Sequence, residues 1–484
     1  MTSTDSSFFL TGDLLDFSEN SFKLRTSIGP INIDASRVIC EGEECPAFDP
    51  QDADLSVVLD NSLGQSLPSN ALTNYAAFLG LSEYRTYSSP QKDQFLEFKS
   101  SGPGDEATVL SATTLDVGAP FDTASNSADV LISARSDDAL PAIDGLNQDV
   151  VALDSRMIAV HPQNPVSNLS LEALRDIYQG TITNWSVFGG EDQAIRIVAQ
   201  PGDHALLDLP SSMAQRLKSD LTARDDVAGR IENDPAAIGL VSLMSAADIK
   251  PVNLVNQCGM TVEPDIFAAK AGEYPLQQRI YYYGIEGSDD PTQVRFRSFL
   301  ASAEADTMLD TAGLLRFQIV SQSRDAYFDR LQSAQSNTQD RRRVEQFRQT
   351  FKRFGDYERL STTFRFPTGS SSLDEHGLAE LNRLIDYLDA QPEGTRVLFV
   401  GYTDNVGTWR NNLNLSKQRA NSIAGTVRLT AGERLGDVPF RTIGFGEQLH
   451  ITCTTGEANR SKNRRVEVWI ERPAVDRQIA SNNE

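Results

Sequence analysis

Basic residues are scarce in this chain: 44 Lys and Arg stand against 67 Asp and Glu among 484 residues, a net charge of -23. Nucleic acid and anionic lipid both demand a basic surface, so neither is expected as a partner. Long apolar runs are also missing, and no stretch could span a bilayer as a helix. The N-terminus MTSTDSSFFLTG lacks the basic start and apolar core of a secretory signal. Histidine is limited to His161, His204, His376 and His450, scattered without ligand spacing, so neither a metal site nor a cofactor is expected. Only 4 cysteines occur. Cys40 and Cys45 bracket the acidic segment EGEE at a spacing that a disulfide can close, the alternative being a reduced buried pair. Cys258 and Cys453 lie far apart and either pair or stay free.

What is present is ordinary globular composition, with 39% hydrophobic and 23% charged residues. The length exceeds what one core organises and implies two or three domains. Residues 8–39 alternate short apolar runs with turn residues, Gly29-Pro30 marking a hairpin, which predicts a small β unit over residues 1–46. Pro46 and DPQDAD then read as a linker. Residues 47–322 alternate strand and helix signals (DLSVVLDNS, then PSNALTNYAAFLG; VVALDSRMIAVHP, then SLEALRDIYQG with a Ser cap and a Gly end), the pattern of a parallel-sheet α/β fold. Residues 323–358 turn to Gln, Arg, Asp and Ser and read as a helical connector, its Arg341, Arg342 and Arg343 a solvated face. Residues 359–474 carry a helix with Leu378, Leu381, Leu384, Ile385 and Leu388 on one side, the buried strand TRVLFVG and a second amphipathic helix. They end in RRVEVWIER, whose alternation predicts a strand with one packed face. Residues 475–484 form a tail. The chain is thus read as multidomain α/β, with a small β unit first, an α/β region in the middle and an α+β domain last.

The last domain also carries chemistry. Asp404 follows the TRVLFVG strand within Gly-Tyr-Thr-Asp-Asn-Val-Gly, in a strand-to-helix loop exposed above the sheet. Arg419 is expected about one turn into the next helix, folding back over that loop. A fixed anion and a fixed cation at one mouth suit a zwitterionic ligand, because Arg makes bidentate bonds to a carboxylate while Asp receives an ammonium group. The alternative is that the two side chains bridge each other and tie helix to strand. No nucleophile and base accompany them, so binding without turnover is expected.

Residues 364–472 resemble the OmpA-like peptidoglycan-binding domain, on Gly401-Tyr402-Thr403-Asp404, Gly407, Asn412, Leu415-Ser416, Arg419-Ala420, Gly444-Phe445-Gly446-Glu447 and Asn463-Arg464-Arg465-Val466. Tyr402 departs from the family, which often has His there. The resemblance implies that Asp404 and Arg419 grip the diaminopimelate of the stem peptide, with Asn412 assisting and Thr403 and Arg465 as further candidates.

The middle region resembles phosphate-binding periplasmic proteins, on Asn61-Ser62, Leu131-Ile132-Ser133-Ala134-Arg135 and NPVSNLSLEALRDIYQGTITNWSVFGG followed by IRIV. That implies a two-lobed α/β domain with Ser62, Ser133 and Arg135 near an anion-holding cleft. Arg135 serves equally as an ion-pair partner of Asp137 or Asp138. Where that family has a Ser-Gly-Thr anion loop this chain has Pro201-Gly202-Asp203-His204, which loses hydroxyls and gains a carboxylate. Phosphate, another small anion, or a scaffold role without ligand all remain open. Together the resemblances imply a non-catalytic periplasmic protein at the wall or outer membrane, its export signal removed. The alternative is a wall-localised hydrolase using Ser62, Asp203 and His204.

Overall fold

The computed structural model describes residues 2–3, 9–18, 21–27, 29–34, 38–40, 53–64, 67–81, 84–88, 94–98, 108–115, 129–134, 146–210, 221–285, 291–336, 338–370 and 375–473. Cys45, the expected linker at 46–52, Arg135 and the 475–484 tail lie outside them. The chain divides into two compact units, one of Met1–Ser155, Val198–Asp248 and Gln278–Phe317, the other of Arg156–Ile197, Ile249–Gln277 and Gln318–Glu484.

In the first unit the N-terminal segment is an antiparallel meander of Asp13–Ser18, Ser21–Thr26 and Gly29–Asp34. Gly29 sits at φ +115°, where a side chain would be strained, and that conformation turns the chain between the last two strands. The alternating Phe22 and Leu24 bury themselves with Val38 and Cys40. Cys40 is disulfide-bonded.

The main sheet of this unit centres on Leu55–Asp60, buried along its whole length. Thr108–Leu115 and Val130–Ser133 flank it in parallel. The helix Leu67–Phe78 covers one face through Ala71, Leu72 and Tyr75, packed on Phe296 and Phe299. Val58, Leu131, Tyr281 and Tyr283 close the other face. Each such side chain removed from water contributes roughly 2 kcal/mol. The sheet is mixed rather than parallel: Val130–Ser133 pairs antiparallel with Gln277–Ile285, and Tyr84–Ser88, Gln94–Phe98 and Thr108–Leu115 run antiparallel in succession. The connection over residues 89–93 is too short for the crossover of a dozen or more residues that parallel neighbours require.

The second unit begins with Ile158–Val160 paired antiparallel to Lys250–Val255, which Asn168–Leu169 flanks in parallel. The helix Leu171–Gln179 starts where Ser170 Oγ accepts from the Ala173 N–H at 2.9 Å and stops at Gly180 in the left-handed region, as its sequence predicts. The C-terminal sheet has the order Ser321–Gln322, Glu358–Arg365, Arg465–Glu471, Arg396–Gly401, Phe440–Gly444. On one face the helices Glu375–Asp389 and Trp409–Ala431 set Leu381, Leu384, Ile385, Ile423 and Val427 against Val397, Phe399, Val466, Val468 and Ile470.

The other face of that sheet is covered too, which corrects the expectation of a single packed face. Arg324–Ala334 and Thr338–Phe351 lay Tyr327, Phe328, Phe347 and Phe351 on Leu398, Val400, Tyr402 and Trp469. Every residue of Arg465–Glu471 is therefore buried, charged ones included. Arg341, Arg342 and Arg343 lie exposed on the outer side of the second covering helix.

Buried charge on this face is paired, as burial requires. Arg465 Nε donates to Glu467 Oε1 at 2.8 Å, and the Tyr327 hydroxyl donates to the same oxygen at 3.0 Å. Arg359 and Arg330 both donate to Glu273, at 2.6 and 2.7 Å. Burial alone would raise the Glu273 carboxyl, but the two guanidinium groups overcome it and hold the group well below the usual carboxylate range. Cys258 and Cys453 form a disulfide with Cα atoms 5.8 Å apart. The 249–277 segment is thus tied to the C-terminal sheet by one covalent bond and one ionic cluster.

Candidate functional site

The strand Arg396–Gly401 delivers the chain to the Asp404 loop. Gly401 is required there, since a Cβ would meet the Ser416 carbonyl oxygen at 1.9 Å, and this close approach seats the Trp409–Ala431 helix against the loop. Thr403 N–H donates to Gly446 O at 2.8 Å. Asp404 turns the loop with its own side chain, Oδ1 accepting from the Val406 N–H at 3.2 Å. Thr408 then caps the helix, its Oγ1 accepting from Asn411 N–H at 3.3 Å.

Asp404 Oδ2 accepts from Arg464 Nη1 at 2.9 Å, in a pair with side chains 8% and 4% exposed. Arg464, part of the Asn463-Arg464-Arg465-Val466 motif but given no role from sequence, also donates to Phe366 O at 3.0 Å and to Glu457. The repeated Arg464-Arg465 was the available signal, but it could not say which arginine turns to Asp404. Arg465 does not join the loop's carboxylate; it is fully buried with Glu467, its guanidinium 4.0 Å from the centre of the Tyr402 ring.

Arg419 lies about three turns into its helix, not one. It is completely buried, Nε donating to Ser370 O at 2.9 Å and Nη2 to Pro367 O at 3.2 Å, with the guanidinium 5.0 Å from the Phe366 ring centre. Its Nη1 has no hydrogen-bond partner. Burial first, and the neighbouring Arg464 next, lower its pKa to about 10 against the opposing pull of Asp404. Asn412 Nδ2 donates to Glu447 Oε2 at 2.6 Å and to Asp404 O at 3.5 Å. Asp404, Thr403 and Asn412 thus meet at one loop, whereas Arg419 is held by the 367–370 segment and reaches Asp404 only electrostatically.

In the first unit, Ser62 is buried in the turn Asn61–Leu63. Ser133 is fully buried, and its hydroxyl donates to Asp60 Oδ2, which also accepts from Ala134 N–H at 3.0 Å. Asp203 is fully buried, its Oδ2 accepting from Gln200 N–H at 3.1 Å. Burial lowers the pKa of His204 beside it. Arg224, also missed from sequence, spans Asp154 at 2.8 Å, Ala312 O at 3.0 Å and Ser62 O at 3.4 Å.

Residues 365–464 match the OmpA family and residues 92–304 the PBP superfamily domain. The chain joins a PBP superfamily domain to an OmpA family domain. Among curated proteins, the peptidoglycan-binding protein ArfA of Mycobacterium tuberculosis is 40% identical over 92 residues, 19% of this chain and 26% of that protein. The peptidoglycan-associated lipoprotein of Legionella pneumophila is 30% identical over 108 residues, 22% of this chain and 59% of its own length. The phosphate-binding protein PstS of Bacillus subtilis is 29% identical over 137 residues, 26% of this chain and 43% of that protein. The chain therefore spans less than two thirds of each of these relatives.

The OmpA family domain thus brings together a carboxylate that is nearly buried rather than exposed above the sheet as expected, a buried guanidinium with one open N–H group and an amide that braces the Asp404 loop. Such a set can hold a ligand that bears both signs of charge. In the PBP superfamily domain the polar groups are differently committed. A carboxylate takes up the Ser133 hydroxyl, a second carboxylate stands in the Pro201–His204 segment, and Arg224 is spent on Asp154 and backbone carbonyls. Among the described residues no His, Cys, Asp and Glu group could hold a metal ion, and no helix is long and apolar enough to cross a membrane.

Proposed function

We propose that the protein binds peptidoglycan through its OmpA family domain, Asp404 receiving the ammonium and Arg419 the carboxylate of a diaminopimelate side chain in the stem peptide. The observation that carries this is the open Nη1 of a buried Arg419 held within electrostatic reach of Asp404. An orphaned buried N–H group costs free energy until something accepts from it, and an arriving carboxylate does so. Reaching it requires the exposed turn Pro367–Gly369, next to the carbonyls that hold Arg419, to yield. Asn412 and Thr403 keep the loop in shape, and Arg465 supports it from beneath through Tyr402.

The PBP superfamily domain then serves as a presented module in the periplasm, at the cell wall or outer membrane. Its committed serine and arginine favour a scaffold, or a ligand other than phosphate. Both families found are binding and anchoring types, which supports a protein without catalytic turnover. The experiment is sedimentation with purified peptidoglycan. The native chain should pellet, while Asp404→Ala, less stable for the loss of its pair with Arg464 but assayed below its own melting temperature, should lose most of that binding, about tenfold or more. Pelleting equal to the native chain would retire the site.

A further inference from the structure

Next to the Asp404 loop the second unit contains a cleft of about 810 Å³, within the range of roughly 300–1,000 Å³ that small-ligand sites occupy. Its floor is apolar, with Val344 and Phe347 nearly closed to solvent. Its rim is polar and carries Glu447, Gln448 and His450, and Trp409 stands at the edge with 54% of its surface exposed. An indole exposed to that degree offers a flat apolar face to a ligand. His450 adds a second sign: its Nε2 is buried and makes no hydrogen bond. The ring is neutral at pH 7, since burial first, and Arg465 next, lower its pKa to about 4.

The cleft and the peptide site share a wall. Glu447 lines the cleft and accepts from Asn412, which in turn reaches the Asp404 carbonyl. Trp409 opens the helix that leaves the Asp404 loop. A wall fragment held at Asp404 carries, a few residues away, the amino sugar from which its peptide hangs. A pyranose ring has an apolar C–H face that suits an indole, and its hydroxyl and N-acetyl groups suit a rim of carboxylate, amide and neutral imidazole.

We propose that this cleft is a second subsite, which seats the N-acetylated amino sugar of the same wall fragment on the exposed face of Trp409 and rests on the peptide reading of Asp404 and Arg419. Calorimetric titration of the full chain tests it with two probes: the free diaminopimelate tetrapeptide, and that tetrapeptide carrying its N-acetylglucosaminyl-N-acetylmuramic acid disaccharide. The native chain should bind the sugar-bearing probe about tenfold tighter. Trp409→Ala should bring the two probes level without weakening the free peptide, and Trp409→Phe should keep most of the preference. Equal affinity of the native chain for both probes, or a matching loss for both in Trp409→Ala, would overturn the subsite while leaving the peptide site standing. Failure of the native chain to bind either probe would overturn both readings.

Discussion

Asp404 holds two structural contacts at once, beside the ligand contact proposed for it. One oxygen turns its own loop, and the other meets Arg464. Breaking a nearly buried ion pair by removing one member leaves the other desolvated and uncompensated. Arg464→Met should therefore cost about 3 kcal/mol, read as a lower urea midpoint at unchanged slope. Arg460→Met, in an exposed pair with Glu457, should stay within about 0.5 kcal/mol. His450 gives a pH signature. With a folded pKa of about 4 against an ordinary 6.5, the unfolded chain binds the extra proton between those values. Its contribution is complete above pH 6.5 and lost as pH falls toward 4, so the melting temperature should drop over that window, and His450→Gln should flatten the drop in differential scanning fluorimetry. Glu273 acts in the same sense at more acid pH, because its depressed pKa stabilises the fold above the usual carboxylate range and is lost as pH falls through the folded value.

At the scale of elements, the helices Arg324–Ala334 and Thr338–Phe351 matter more than their composition announces. Their apolar residues are few, but Tyr327, Phe328, Phe347 and Phe351 all reach the same sheet face. Phe351 lies 4.5 Å from Trp469 between ring centres and is fully buried, so Phe351→Ala should cost about 3–5 kcal/mol of stability in a denaturant titration. The sequence showed the Asp404 loop well, because a Gly-Tyr-Thr-Asp-Asn-Val-Gly turn between a buried strand and an amphipathic helix leaves few places for its carboxylate. It showed the Arg465–Glu471 strand only in half. The polar members of that alternation announce a wet face, and only knowledge of what packs there, Tyr327 and Arg359 against Glu467, reverses the inference. Direction of strand pairing was likewise hidden, because apolar runs carry burial but not orientation.

On the scale of the whole molecule, the capped helix Leu171–Gln179 and the run of strand and helix signals gave the α/β character of the middle region, while its polar partners stayed illegible. Nothing in the spacing of Asp60 and Ser133, or of Asp154 and Arg224, marks them as neighbours. These commitments predict that millimolar phosphate will leave the melting temperature of the full chain unchanged, since a ligand raises it only by binding the folded state. A clear upward shift would restore an anion site. The Cys258–Cys453 bond has a mechanical meaning as well. It spans a sequence separation of 195, so a pull along the chain would meet a covalent shortcut, and the helices and sheet between the two sulfurs would bear no tension until it was reduced. At about 3.5 Å per extended residue, roughly 680 Å of slack is withheld in this way. Of the C-terminal sheet only the strand Arg465–Glu471, which follows Cys453, would carry that load.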